Sequence, residues 1–184
     1  MAVSTPSTEI WRPHVTGACV VADGDRYLMV EEMVNGRLAY NQPAGHLDDG
    51  ESVSAAALRE TLEETGWTVQ LQHLIGVHQW RSTEHGDAVI RFSFAARGVG
   101  HDPQRPLDTD IIRALWLTRG EIAALGERLR SPLVLRCIDD QLAGRQVAQR
   151  SLFNFAHESF FRRFRNHHRL ESLRQSHILT PSLR

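Results

Sequence analysis

Three glutamates stand close together in a stretch that is predicted to form a helix. Residues 45–67 read GHLDDGESVSAAALRETLEETGW, and the apolar spacing predicts a helix over residues 52–65 that Gly66 ends. On such a helix Glu60, Glu63 and Glu64 project from one face. The side chains expected on the opposite face, against the core, are Leu58, Thr61, Leu62 and Thr65.

Like charges on one helix face have two explanations. On a solvated surface helix their repulsion costs only about 0.2–0.5 kcal/mol per pair, and Arg59 pairs with Glu63 one turn away. Alternatively, glutamates one turn apart on a rigid helix offer the hard oxygen ligands that a divalent cation prefers, and a bound cation removes the repulsion. The helix pattern by itself leaves both explanations open.

The spacing of the residues around the helix favours the second explanation. Seven positions form a string of fixed spacing, namely Gly45, Glu51, Arg59, Glu60, Glu63, Glu64 and Gly66. This string resembles the signature of the Nudix hydrolases, and every charged and glycine position of that signature is filled. Thr61 is the one departure, because the family prefers a larger aliphatic residue there. We expect this departure to affect packing more than chemistry, since Thr61 lies on the predicted core face.

The resemblance extends beyond these seven positions and the residues between them, which are called the box below. The stretches PHVTGACVV, NQPAGHL, HQW, RSPLV and FNF are similar to those of the NudJ-type phosphatases, a bacterial group of the Nudix family, over about residues 11–156. The resemblance implies an α/β fold, a Nudix-type α/β/α sandwich around a mixed β-sheet. We expect a hydrolase domain over residues 1–156 and a basic C-terminal tail over residues 157–184.

The order of predicted elements agrees with a sandwich of strands and helices. A hairpin that turns at DGD is predicted for the stretch HVTGACVVADGDRYLMVEE. A short strand that ends at Pro43 is predicted for GRLAYNQPAGHL, followed by a loop between Gly45 and Gly50. WTVQLQHLIGVHQWR and AVIRFSFAAR alternate like strands. Thr118 and Glu121 form a capping-box pattern, and SPLVLRCIDDQLAG predicts a further helix.

By resemblance, the box holds the catalytic metal. Glu60, Glu63, Glu64 and the backbone carbonyl of Ala44 would be the ligands of Mg²⁺, with Mn²⁺ as an alternative, and Glu60 would also act on the attacking water. Arg59 is expected to orient Glu60 or Glu63. Glu51 is expected to stabilise the junction between loop and helix, next to the box glycine Gly45.

Nudix enzymes often take one more carboxylate from a loop outside the box. PLDTDIIRALW offers Asp108 and Asp110, and we predict Asp110 as the catalytic carboxylate because it stands six residues before Trp116. A role for Asp110 in ending a strand or capping a turn is the alternative. Glu84 and Asp87 are weaker candidates, and we interpret them as polar residues of a hairpin loop.

A substrate pocket is predicted around the residues that flank the box. Asn41 and Gln42 before the box, and Gln79 and Trp80 after it, are candidates to bind a nucleobase, and roles in the core or at a strand edge are equally compatible with the sequence. The SPLV helix and the segment with Phe153 and Asn154 would complete the pocket wall. His46 would reach a phosphate, or it is an exposed loop histidine.

The NudJ-type resemblance implies release of the terminal phosphate from nucleoside diphosphates and triphosphates and from the pyrimidine diphosphate precursor of thiamine. A hydrolase that releases pyrophosphate and a nucleotide sensor without activity are the alternatives. The sensor is disfavoured because the box has lost no glutamate. Specificities for ADP-ribose and for dinucleoside polyphosphates are disfavoured by Ser82 and the TEH stretch that follows it.

Composition narrows the class of protein further. The chain has 184 residues, 41% of them hydrophobic, a net charge of −1 and two cysteines, Cys19 and Cys137, that are far apart. This composition indicates a soluble globular protein without a disulfide framework, in the reducing cytoplasm, and no run approaches the about 20 apolar residues of a membrane span.

The basic tail has two interpretations. Arginines and phenylalanines alternate around Phe160–Arg165 in a pattern typical of nucleic-acid binding, and an amphipathic helix that packs on the body has the same pattern. His167 and His168 lack further residues at metal-ligand spacing. We expect a small phosphorylated substrate as the partner, no membrane and no nucleic acid, and a monomer or homodimer.

Overall fold

A computed structural model describes residues 10–81 and 88–147 of the chain. These residues belong to a unit that ends at Ser151. The boundary predicted between residues 156 and 157 and the whole basic tail lie outside the described residues, so both stay predictions.

Seven strands and three α-helices make up the described part of the chain. The strands are β1 (His14–Asp23), β2 (Arg26–Val34), β3 (Arg37–Asn41), β4 (Ala44–His46), β5 (Trp67–Arg81), β6 (Ala88–His101) and β7 (Ile111–Thr118). The helices are α1 (Val53–Thr65), α2 (Arg119–Ala124) and α3 (Leu133–Leu142), with a 3₁₀ turn over Gly126–Arg128.

The strands form one mixed sheet. Its main order is β3-β2-β1-β6-β5, with β4 paired to β1 and β7 paired to β2. β1 runs parallel to β6 over eight residue pairs from His14–Val89 to Val21–Ala96, and the other pairings are antiparallel. β1 and β2 pair next to their turn, at Ala22–Tyr27 and Asp23–Arg26, as the hairpin prediction required.

Helix α1 begins and ends where its sequence predicts. The side chain of Ser52 accepts a hydrogen bond from the amide of Ala55 at 3.1 Å, which satisfies a free donor of the first turn. Gly66 adopts a left-handed conformation with φ of 69° and donates to the carbonyl of Leu62. The capping box of Thr118 and Glu121 at the start of α2 is also present.

The helices α1 and α3 cover opposite faces of the sheet. Neighbouring strand residues point to opposite faces, and on β1 the thiol of Cys19 contacts the Ala57 carbonyl of α1, while Val20 packs in the cluster that contains Val134 and Ile138 of α3. Side chains of β2 and β3, such as Met29 and Tyr40, join that cluster. The arrangement confirms the predicted α/β/α sandwich around a mixed sheet.

Two local expectations differ from the structure. Residues 44–46 form strand β4 rather than part of a loop, because they pair with residues 16–18 of β1. Leu58 is 38% exposed, and the residues of α1 that face the core include Ala56 and Ala57, both fully buried. Small side chains at these positions let the helix approach β1 closely enough for the contact between Cys19 and Ala57.

Within the described residues, no helix is both long and apolar enough to span a membrane.

Candidate active site

Strand β4 passes directly beside the carboxylate helix α1. The amide of Ala44 donates to the Glu64 carboxylate at 2.8 Å, and Gly45 lies against the side chain of Glu60. The preceding Pro43 is held as well, because its carbonyl accepts from the amide of Cys19 on β1. The sheet and the helix therefore fix the backbone around Ala44 in front of the glutamates.

Arg59 lies at the centre of the charged groups of the box. Its Nε and Nη2 donate to the two carboxylate oxygens of Glu51, each at 3.0 Å. Its Nη1 donates to Glu60 at 2.8 Å and to Glu63 at 2.9 Å, and Nη2 also donates to the carbonyl of His46. One guanidinium thus ties the loop before the helix to two glutamates of the helix.

These contacts set the electrostatics of the box. The Arg59 guanidinium holds the pKa of Glu51 below its usual range, so Glu51 is a stable anion that neutralises Arg59. Burial raises the pKa of Glu60, Arg59 opposes this effect, and the charges of Glu63 and Asp108 add to it. Glu60 is 8% exposed, so its carboxylate is both buried and close to other carboxylates.

Glu60, Glu63 and Asp108 form a cluster of oxygen ligands. One carboxylate oxygen from each lies within 4.8 Å of the other two. Asp108 reaches this position because its amide donates at 3.2 Å to the carbonyl of Glu63, in the last turn of α1 where carbonyls lack helical partners. Three hard oxygen atoms at this spacing fit a divalent cation such as Mg²⁺.

Glu64 lies beside this cluster rather than within it. Burial raises its pKa to about 8, against the hydrogen bond from Ala44, and the charges of Glu60, Glu32 and Asp108 add to the increase. Without a cation nearby, the charged form of Glu64 is therefore disfavoured. The carboxylate is held in place by the amide of Ala44, and its role as a metal ligand stays a prediction.

Asp110, the outer carboxylate predicted from spacing, is not part of the ligand cluster. Its backbone carbonyl accepts from the amide of Met33 on β2 at 2.9 Å, and the residue is exposed at the start of β7. Among the two aspartates of this loop, Asp108 is the one that the fold brings next to Glu60 and Glu63. A catalytic role for Asp110 stays a prediction.

The predicted pocket residues divide into buried and accessible ones. Gln42 is fully buried, and its amide donates to the carbonyl of Val134 on α3 at 2.7 Å. Asn41 is half-buried, Gln79 is exposed, and Trp80 packs partly against the core cluster. His46 is exposed, and its Nε2 lies 3.1 Å from Nδ1 of His14.

Some candidates lie outside the described residues. They are Ser82, Glu84, Asp87, Phe153, Asn154, His167 and His168.

Two residues near the site escaped the sequence analysis. Arg91 on β6 is buried and donates to Asn41 and Gln42, and Glu32 on β2 is half-buried with one carboxylate oxygen unpartnered among the described residues. Glu32 has a raised pKa, because burial outweighs the attraction of Arg130 and Arg91. For Arg91 the sequence did contain a signal, because a charged residue stands inside the otherwise apolar strand pattern AVIRFSF. A charge buried in such a strand needs polar partners.

Together, the fold and the site define a class of protein: an α/β/α sandwich whose carboxylate helix lies against a strand of a mixed sheet and presents oxygen atoms that suit a divalent cation. Comparison with known proteins identifies the family. The NUDIX domain matches residues 12–136, and the chain belongs to the Nudix family. It is an enzyme that acts on phosphorus-containing anhydrides.

Individual relatives agree with this assignment. The chain is 40% identical over 146 residues to Phosphatase NudJ of Escherichia coli strain K12 and of Shigella flexneri, which covers 79% of this chain and 94% of each relative. A NUDIX hydrolase from Nitrosomonas europaea superimposes with a TM-score of 0.76 at 42% identity, over 78% of this chain and 98% of that one.

Proposed function

We propose that this enzyme hydrolyses the terminal phosphoanhydride bond of nucleoside diphosphates and triphosphates, and of the pyrimidine diphosphate precursor of thiamine, and releases inorganic phosphate. The observation that carries the proposal is the cluster of carboxylate oxygens from Glu60, Glu63 and Asp108 within 4.8 Å of one another. The similarity to proteins named Phosphatase NudJ supports phosphate as the product.

The proposed cofactor is Mg²⁺, with Mn²⁺ as an alternative. Glu60, Glu63 and Asp108 would hold it, with Glu64 of helix α1 and the carbonyl of Ala44 on strand β4 as further ligands. When bound, the cation neutralises charge on the phosphate oxygens and lowers the pKa of a water molecule. These ligands are hard oxygens, which Mg²⁺ and Mn²⁺ both prefer.

The protein groups have separate tasks in this proposal. Arg59 holds Glu60 and Glu63 in place through hydrogen bonds of 2.8 and 2.9 Å, so their oxygens face one direction before the substrate arrives. Glu60 would also act on the attacking water, and burial raises the pKa of its carboxylate. Asp108 is the outer carboxylate that the geometry favours, and Asp110 is the alternative from spacing.

Substrate contacts are proposed for Asn41 and His46, which are accessible beside the box. Gln42 is not available for a substrate contact, because it is fully buried and bound to α3. A pocket with few direct contacts to the base would accept several nucleotides, as the breadth of the proposed substrates requires.

The experiment that tests this function measures products at early times. A nucleoside triphosphate, the matching diphosphate and the pyrimidine diphosphate precursor of thiamine are each incubated with Mg²⁺, with Mn²⁺ and with a chelator. We expect inorganic phosphate as the first product from all three, and no reaction with the chelator. Pyrophosphate as the sole first product, with diphosphates inert, would favour the triphosphate pyrophosphohydrolase instead. Nucleotide binding without turnover under all these conditions would favour the sensor.

The cytoplasmic location is proposed from the cysteines. Cys19 and Cys137 are both free and buried, and this state suits a reducing compartment.

A further inference from the structure

A buried arginine outside the box motif contacts the segment that leads into it. Arg91 of β6 is 4% exposed. Its Nη1 donates to Oδ1 of Asn41 at 3.1 Å, and its Nη2 donates to Oε1 of Gln42 at 3.2 Å. One planar guanidinium therefore binds two consecutive residues of the chain, and this fork geometry is one that lysine cannot reproduce.

Residues 41–44, called here the 41–44 segment, are held at every position. Gln42 also donates to the carbonyl of Val134 at 2.7 Å, the carbonyl of Pro43 accepts from Cys19, and the amide of Ala44 donates to Glu64. Arg91 binds the side-chain oxygens of the first two residues of the segment, Asn41 and Gln42. The end of the segment is the peptide whose carbonyl is a proposed metal ligand.

The chemistry of the guanidinium also decides how the two amide side chains point. Arginine donates hydrogen bonds and accepts none, so Asn41 and Gln42 must both turn their oxygens towards Arg91. The NH₂ group of Gln42 then meets the Val134 carbonyl. The NH₂ group of the half-buried Asn41 has no hydrogen-bond partner among residues 10–81 and 88–147, so it can donate to an acceptor atom of a substrate.

A purely structural role explains these contacts poorly. Burying a cation is costly unless it is well paired, and the two side-chain partners of Arg91 described here are neutral amides. Its Nε has no hydrogen-bond partner among the described residues. A hydrophobic side chain of similar volume would avoid the cost of the buried charge but would leave the side-chain oxygens of Asn41 and Gln42 without their donor. The contribution of Arg91 therefore lies in the residues that it holds.

We propose that Arg91 is a positioning residue that holds the 41–44 segment, and so sets both the Ala44 carbonyl towards the metal and the Asn41 amide towards the substrate. This inference rests on the proposed function, because Ala44 is a metal ligand only if the box binds a cation.

Electrostatics and positioning predict opposite results when the arginine is removed. The charge of Arg91 interacts with those of Glu64 and Glu32. If this charge were its main effect, its loss would strengthen the binding of a cation by the carboxylates. If Arg91 holds the 41–44 segment, its loss weakens cation binding despite the more negative site.

The experiment compares two substitutions of Arg91. Arg91→Met removes the charge and both hydrogen-bond donors at similar volume. Arg91→Lys keeps the charge but cannot donate to Asn41 and Gln42 at the same time with the planar guanidinium geometry. Arg97→Met is the matched control, since Arg97 lies on the same strand, is exposed, and donates to an amide oxygen of Gln70 on β5. The full-length proteins are titrated with Mn²⁺ and followed by electron paramagnetic resonance. Phosphate release and the melting temperature in metal-free buffer are measured in parallel.

We expect the Mn²⁺ dissociation constant to rise by about 10- to 100-fold in both Arg91 variants, as for other groups that orient metal ligands. The control keeps the wild-type constant. The value of kcat falls in both variants and KM rises, because the metal site and the Asn41 donor are displaced together. Arg91→Met is expected to lower the metal-free melting temperature moderately, because the side-chain oxygens of Asn41 and of the fully buried Gln42 lose their donor.

Unchanged or tighter Mn²⁺ binding by a folded Arg91→Met or Arg91→Lys would overturn the proposal. Hydrogen exchange of the Ala44 amide in metal-free protein gives a test that is independent of the metal. We expect faster exchange in Arg91→Lys than in the control, and equal exchange would also overturn the proposal. Wild-type protein that binds no Mn²⁺ would contradict the proposed function, and the exchange experiment would still decide whether Arg91 holds the segment.

Discussion

Gly45 and Glu60 are packed so closely that no side chain fits between them. A Cβ atom added to residue 45 would lie 2.0 Å from the carboxylate carbon of Glu60 and 2.0 Å from its Oε1. Gly45 is not among the described residues with positive φ, so its backbone conformation does not require glycine. The box glycine is therefore needed for space, because the Glu60 carboxylate lies directly over the backbone of β4.

The close contact predicts the effect of Gly45→Ala. The added methyl group must displace the Glu60 carboxylate, and displacement of a catalytic group by about 1 Å typically lowers activity about 100-fold. We expect such a loss in the rate of phosphate release, with a weaker affinity for Mn²⁺. Gly100→Ala is the control, because nothing lies within 4 Å of a Cβ at that position. Near wild-type rates for Gly45→Ala would show that the position of Glu60 is not critical.

Glu64→Gln should separate activity from stability. Its carboxylate has a pKa raised to about 8 by burial, so without metal its charge is unfavourable and a neutral amide is tolerated. We expect turnover to fall by at least about 100-fold, while the metal-free melting temperature stays equal or rises. Glu63→Gln should lower turnover similarly. Full activity in both variants, measured against the exposed control Glu127→Gln, would remove these glutamates from the site.

The two aspartates of the 108–110 loop can be distinguished by paired substitutions. Asp108→Asn removes an oxygen of the cluster with Glu60 and Glu63, and we expect a loss of about 10- to 100-fold in kcat and in Mn²⁺ affinity. Asp110→Asn alters an exposed side chain beside the cluster, and we expect a smaller loss. If Asp110→Asn has the larger effect, the spacing from Trp116 was the better guide to the outer carboxylate.

Glu31 predicts a specific dependence of stability on pH. Arg113 and the hydroxyl of Tyr40 both donate to Glu31, and together they hold its pKa below the ordinary value of 4.5. A carboxylate with a lowered pKa stabilises the fold fully above that ordinary value, and this contribution is lost as the pH falls through the lowered pKa. The melting temperature of Glu31→Gln should therefore lie below that of the wild type at neutral pH.

The pH series decides whether this contribution comes from the ionised carboxylate. The difference between wild type and Glu31→Gln should shrink as the pH is lowered from 4.5 towards acid. A difference that is constant over the whole range would mean that packing around Tyr40, rather than the charge of Glu31, accounts for it.

The sequence by itself was sufficient for the carboxylate helix and its ends. Ser52, Gly66 and the spacing of Glu60, Glu63 and Glu64 act within a few residues of one another, and local hydrogen bonds and helical periodicity determine their arrangement. The same holds for the capping box of Thr118 and Glu121. The order of strands and helices, read with the Nudix resemblance, was also sufficient to predict the sandwich.

Only the tertiary structure decided which distant residues join that helix. Asp108 rather than Asp110 lies in the ligand cluster because the Asp108 amide pairs with a free carbonyl at the end of α1. Arg91, about fifty positions along the chain, binds the side chains of both the half-buried Asn41 and the fully buried Gln42. Both results depend on contacts between residues that are far apart in sequence. The packing of strands and helices sets the distances between such residues. Spacing along the chain predicts only which near neighbours lie together, so no local pattern could have shown these contacts.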